Sequence, residues 1–129
     1  MLQQTTKAFQ LNGLAASRAF FEPAVASDHR SLHVVHVDEE GRCLHLSRYR
    51  EQVRNGLPAS AIIRDAAELG SAGIVLAHRD DDEAPPAQVQ GWPETRMLAD
   101  AMELIQVTLL DHLVFHNRDC LSLRRMGVL

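Results

Sequence analysis

The chain has 129 residues and a formal net charge of −4, with 46% hydrophobic and 5% aromatic side chains. That size fits one domain with an aliphatic core. The acidic balance and the scarcity of stacking rings argue against a nucleic-acid partner, which calls for a basic stripe.

The nearest thing to a stripe is Arg42, Arg48, Arg50 and Arg54, with acids interleaved, and it reads as a solvated face. No run of about 18 apolar residues offers a membrane span. The first ten residues, MLQQTTKAFQ, lack the apolar stretch of a signal peptide. Cys43 and Cys120 form no CxxC pair and lie among apolar residues, so buried free thiols and a reducing, cytoplasmic home are expected.

Residues 1–12 are polar and expected to be loosely held, leaving 13–129 as a single domain. A short helix is expected from about Gly13 to Phe21, with Leu14, Ala15, Ala19 and Phe20 as one face, ended or kinked by Pro23. Leu32 to Asp38 is rich in β-branched residues and is stopped by the turn signal Glu39-Glu40-Gly41. Arg42 to Arg48 follows at hairpin distance, so the two runs predict an antiparallel pair. After Leu57-Pro58 a helix is expected, with Ser60 as N-cap, Ile62, Ile63, Ala66, Ala67 and Leu69 at helical spacing, and Gly70 as its stop.

The continuous apolar run Ala72 to His78 predicts a central strand buried on both faces. A loop from Arg79 to Gly91 is acidic first, then rich in Pro and Gln. Pro93 suits a first helical turn, and Met97, Leu98, Ala101, Leu104 and Ile105 give that helix its apolar face. Thr108 to His116 reads as another strand, and Cys120 to Leu129 as a short strand and turn. The order β-β-α-β-α-β implies α/β architecture, a mixed sheet with helices packed on it.

The segment Ile74-Val75-Leu76-Ala77-His78, the run Leu109-Leu110-Asp111-His112-Leu113-Val114 and the ending Leu121-Ser122-Leu123-Arg124-Arg125-Met126-Gly127-Val128-Leu129 together resemble the RadC-type JAB/MPN (JAMM) family. The resemblance covers roughly residues 17–129 and implies a JAB/MPN-like, cytidine-deaminase-like mixed β-sheet sandwiched by helices. It also implies a catalytic chemistry. In the family, two histidines and an aspartate hold zinc, a water fills the fourth position, and a glutamate takes that water's proton. Three protein ligands leave the metal open, and the metal makes its water acidic enough to attack an amide carbonyl.

Placed on this sequence, the first histidine of the family pattern is His78 and the second falls on Asp80. The aspartate falls on Gly91, which has no side chain to coordinate with, and the serine three before it on Gln88. The general base falls on Arg30, a cation that cannot accept a proton. These departures predict a degenerate zinc site, a pseudoenzyme with no catalytic residue, no cofactor expected and at most a metal remnant at His78 and Asp80. Asp82, Glu83, Asp111 and His112 are candidates for the site wall. His78, Asp80, Asp81, Asp82 and Glu83 lie within six residues and could form an oxygen-rich cluster for a hard ion; the bland reading is an acidic solvated loop.

His33 and His36, three apart on a strand, face opposite sides. His29 and His45 are expected at the surface, His112 in a structural hydrogen bond, and His116 has no assigned role. Neither Ser60 nor Ser122 sits in a nucleophile elbow, and no glycine-rich phosphate loop is present. Two functions follow: a non-catalytic binding module with a protein partner, homodimerisation left open, or a divergent metal-dependent hydrolase of peptide or isopeptide bonds working through His78 and nearby carboxylates.

Overall fold

A computed structural model of the chain describes residues 13–28, 30–50, 57–80 and 92–129. The elements, in chain order, are α1 (Leu14–Ser27), β1 (Ser31–Val37), β2 (Cys43–Arg50), α2 (Ala59–Leu69), β3 (Gly73–Arg79), α3 (Trp92–Glu103), β4 (Thr108–His116) and β5 (Asp119–Ser122). The strands form one mixed sheet in the order β2-β1-β3-β4-β5. Only β3 and β4 run parallel, joined through α3; the other neighbours are antiparallel. The expected α/β class and the central place of β3 are found. The expected N-terminal segment, residues 1–12, lies outside the described residues.

Both faces of the sheet are covered, which is why β1 is buried along its whole length and carries no polar alternation. On one face, Leu32, Val34, Ile74, Leu76 and Leu109 pack under Ile62 and Ala66 of α2 and Leu98 and Met102 of α3. On the other, Val35, Val37, Val75, Ala77, Leu113 and Phe115 pack under Phe21 and Val25 of α1. The β1–β2 turn is pinned by Asp38, whose carboxylate accepts the Glu40 and Arg42 amides at 2.9 Å each, with Gly41 in left-handed backbone at φ 80°.

Three expectations are corrected. The first helix runs through Pro23 to Ser27. Proline lacks the N–H that would bond Ala19, but Ala19, Glu22 and Pro23 are exposed, so water can serve the freed carbonyl. Phe21 and Val25, one turn apart across the proline, bury against the sheet and hold the helix together. The second correction is the N-cap of α2, which is Pro58, with no side-chain cap; Ser60 is already inside the first turn. Gly70 does close that helix in left-handed backbone at φ 64°. The third is the inward face of α3. Thr95, Leu98 and Met102 point in, spaced three and four apart, while Met97 is 70% and Leu104 86% exposed.

The β3–β4 ladder carries one irregularity. Ile74 pairs with Leu109, but Val75 pairs with Asp111, so Leu110 is an extra residue in β4. A side chain at Gly73 would come within 2.9 Å of Leu110 Cδ1, which fits glycine at that point. The C-terminal segment clamps the bulge. The Arg124 guanidinium donates to the Leu109 carbonyl at 2.7 Å and also to the Leu110 carbonyl. Asp111 answers in the other direction: its carboxylate accepts from the His112 amide at 2.7 Å, the Arg124 amide at 3.1 Å and the Ser122 hydroxyl.

Replacing Arg124 with Met keeps the aliphatic stem and removes both side-chain hydrogen bonds, one to each of two carbonyls. Hydrogen bonds from a charged donor contribute about 1.5–3 kcal/mol each when intact. Urea denaturation is therefore expected to show a loss of roughly 2 kcal/mol or more, with a smaller loss for Arg124→Lys; an unchanged midpoint in Arg124→Met would exclude the clamp.

Candidate functional site

The bulge sets what lies at the centre of the sheet. Strand alternation sends Ile74, Leu76 and His78 to the α2/α3 face. In β4, Leu109 shares that face, yet Leu113 and Phe115 are on the other. The extra residue at Leu110 shifts the alternation, so that His112, paired with Leu76, also points toward α3. There His78 Nδ1 meets His112 Nε2 at 2.8 Å, and His112 Nδ1 meets the Thr95 hydroxyl at 2.9 Å. His78 is 4%, His112 3% and Thr95 0% exposed.

A neutral imidazole has one N–H and one lone pair, so this chain admits two proton arrangements. In one, His78 Nδ1–H donates to His112, whose Nδ1–H donates to Thr95, and the His78 lone pair is on Nε2. In the other, Thr95 donates to His112, which donates to His78, and His78 carries its proton on Nε2. Either way both rings are neutral. Burial pushes His78 down from its ordinary 6.5 to about 4, with the Asp80 charge opposing in part. Burial, then the neighbouring His78, holds His112 well below the usual histidine range.

Asp80 follows the end of β3, and its backbone stays on the sheet: its amide donates to the Phe115 carbonyl at 2.8 Å, and His116 Nδ1 donates to the Asp80 carbonyl at 2.6 Å. That gives His116 a positioning role the sequence left open. Asp81, Asp82, Glu83, Gln88 and Gly91 lie outside the described residues, as does His29. Arg30 is exposed just before β1, which runs antiparallel to β3, so it stands at the sheet end where His78 and Asp80 emerge. Asp111 is occupied by Ser122 and the Arg124 amide. Among the described residues, no three histidine, cysteine, aspartate or glutamate side chains converge as a metal group.

The remaining histidines divide as the strand period requires. His33 Nε2 lies 3.4 Å from the Asp28 carbonyl, whereas His36 Nδ1 is 2.9 Å from the Ser71 hydroxyl on the opposite face. His45 is exposed. The free thiols are half-buried rather than fully enclosed; burial raises Cys43, and raises Cys120 to about 11, so neither is a ready nucleophile. Sequence reasoning missed Thr95. The available signal was its spacing from Leu98 and Met102, which places a hydroxyl on the buried stripe of α3.

Comparison with known proteins finds a family and several relatives similar to this chain. The family model described as the RadC-like JAB domain matches residues 13–128. A UPF0758 protein of Burkholderia cenocepacia is 36% identical over 66 residues, 51% of this chain and 26% of that relative. One from Burkholderia ambifaria is 35% identical over 66 residues, again 51% and 26% of the two chains. One from Acidithiobacillus ferrooxidans is 32% identical over 66 residues, 51% of this chain and 30% of the relative. The matched stretch thus spans well under half the length of these relatives. No helix among the described residues is long and apolar enough to cross a membrane.

The buried pair makes stability depend on pH. In the unfolded chain both rings accept protons below about pH 6.5, which the folded chain refuses down to about 4 at His78. The unfolding free energy therefore falls as the pH drops through that window. His78 alone accounts for roughly 3 kcal/mol at about 1.4 kcal/mol per unit. Denaturation between pH 6.5 and 5, above most carboxylate titration, is expected to show this slope, reduced in His78→Gln; a flat profile in the parent protein would contradict the buried neutral pair.

Proposed function

The chain belongs to the RadC-like JAB domain family, and from that premise we propose that it is a non-catalytic member, a binding module that keeps the family scaffold without its zinc chemistry. The observation that carries this reading is the donor count around His78. Among the described residues no three ligand side chains converge there, and Nδ1 of the one histidine left of the pattern is bonded to His112. The family's zinc would need two histidines, an aspartate and a glutamate beside the open position. Here the corresponding positions hold His78, Asp80, Gly91 and Arg30. Glycine offers no side-chain donor, and a guanidinium neither takes a proton nor tolerates a nearby cation. The donor set does not fit a hydrolytic zinc, and no hydrolytic step is assigned to it.

What remains is a rigid sheet with surfaces for a protein partner. Among the described residues the outer strand β2 has a neighbour on one side only, and its Leu44 and Leu46 are 44% and 38% exposed. A strand edge with exposed apolar side chains suits pairing with an extended segment of another chain. The competing reading, a divergent peptide or isopeptide hydrolase, draws on the Asp80 charge acting on His78.

The two readings separate on metal. After incubation of the full chain with zinc and exhaustive dialysis, elemental analysis is expected to find far less than one zinc per chain, unchanged in His78→Ala. One tightly held zinc per chain, lost in His78→Ala and accompanied by zinc-dependent peptide or isopeptide cleavage, would replace the binding module with the hydrolase.

A further inference from the structure

Among the described residues β2 and β5 are the edges of the sheet, and they are unequal. β5 has four residues, whereas β2 has eight. A short edge strand gives a newcomer little backbone to pair with; a long one gives a full ladder. On β2, Leu44 and Leu46 are exposed. They lie between the acidic β1–β2 turn on one side and Arg48 and Arg50 on the other.

The charges flanking that apolar pair do not act alike. Arg42 is held by Asp38 at 3.3 Å and by Glu40, and Arg48 is held by Asp28 at 3.3 Å. Two others are exposed and have no ion-pair partner among the described residues: Glu39 in the turn and Arg50 at the far end of β2. Charges on a sheet edge ordinarily keep copies apart. Here they are opposite in sign, with the leucines between them. The order acid, apolar, base is complementary to itself when reversed, which is how a two-fold axis presents it.

An antiparallel pairing with its axis beside His45 puts Leu44 opposite Leu46 of the second copy, twice over. Arg50 then falls opposite position 40, next to Glu39. Arg48 falls opposite Arg42, where each guanidinium already has a carboxylate. The two copies of Arg48 stay about 20 Å apart along the strands, at roughly 3.3 Å per residue, beyond a Debye length. Parallel in-register pairing would instead set Arg48 on Arg48 and Arg50 on Arg50 at about 4.8 Å. An acidic strand from another protein would answer Arg50 but meet Glu39 with like charge. We propose that β2 pairs antiparallel with β2 of a second copy of this chain, joining the two sheets into one. This rests on the reading of β2 as an edge open to a protein partner.

Sedimentation velocity of the full chain over a concentration series tests it. A reversible dimer that dissociates on dilution is expected. Leu46→Lys, Arg50→Glu and Glu39→Arg are each expected to weaken it about tenfold. Mixing the Arg50→Glu and Glu39→Arg variants is expected to restore it, because the mixed dimer has one native contact and one with both signs reversed. Misfolding of either variant would not produce that rescue. A folded chain that stays monomeric at every concentration, a dimer unmoved in all three variants, or no rescue on mixing would overturn the second copy as occupant. A monomer that holds no zinc strikes this pairing and spares the binding module, whereas a β2 dimer with one tightly held zinc per chain does the reverse.

Discussion

The carbonyls of Leu109 and Leu110 both end on the Arg124 guanidinium, and the bulge held there determines the side-chain alternation of the rest of β4. A one-residue change of register turns every following side chain to the other face. If Leu110 were paired regularly instead of bulged, His112 would face α1 and Leu113 would face α3. With it, the apolar Leu113 and Phe115 join the α1 side, and His112 stands beside His78. The C-terminal Ser122-Leu123-Arg124 segment is therefore part of the site's support, though it touches neither ring. The distant stretches that resemble the family, the Asp-His run and the ending, become one structural unit through Asp111.

Two imidazoles and a hydroxyl beneath α3 are an expensive thing to place in an aliphatic core. Each buried polar group must find a partner, because an unsatisfied one costs about 1–3 kcal/mol. Thr95 and the two rings satisfy one another in series, and the neutral forms avoid placing charge where it is poorly solvated. The same chain of hydrogen bonds could orient a metal-binding ring, since metal-ligating histidines commonly bond a partner through their other nitrogen. What the proposed reading takes from this chain is only the support: the network holds the His78 ring in place, while the further positions of the pattern read from the sequence fall on Asp80 and Gly91.

Much of this was legible in the sequence because strands announce themselves by composition. The runs Leu32–Asp38, Ala72–His78 and Thr108–His116 predicted three of the five strands nearly to the residue. The hairpin turn and Gly70 were readable from the conformations that their glycines adopt. The helix faces were less legible. Leu104 and Met97 are as apolar as Leu98 and Met102, so composition could not show which pair would bury. Pro23 reads locally as a stop, and only packing of Phe21 and Val25 on the sheet overrides it. The bulge was invisible, since Leu-Leu-Asp-His carries no local sign of an extra residue. With it were hidden the His78–His112 contact and the part played by Thr95. The basic run looked like one solvated face because periodicity says nothing of partners; the fold gives Arg42 to the turn acids and gathers Arg48 and Arg50 with Arg30.

The central claim is that the His78 ring belongs to a neutral hydrogen-bonded chain with His112 and Thr95 and is not the anchor of a tightly bound ion. Long-range proton–nitrogen correlation spectra of the imidazole rings, recorded during a zinc titration at pH 7, test it most directly. Two neutral rings with fixed tautomers, their nitrogen shifts unmoved through one equivalent of zinc, are predicted. A stoichiometric, slowly exchanging displacement of the His78 Nε2 resonance would contradict it.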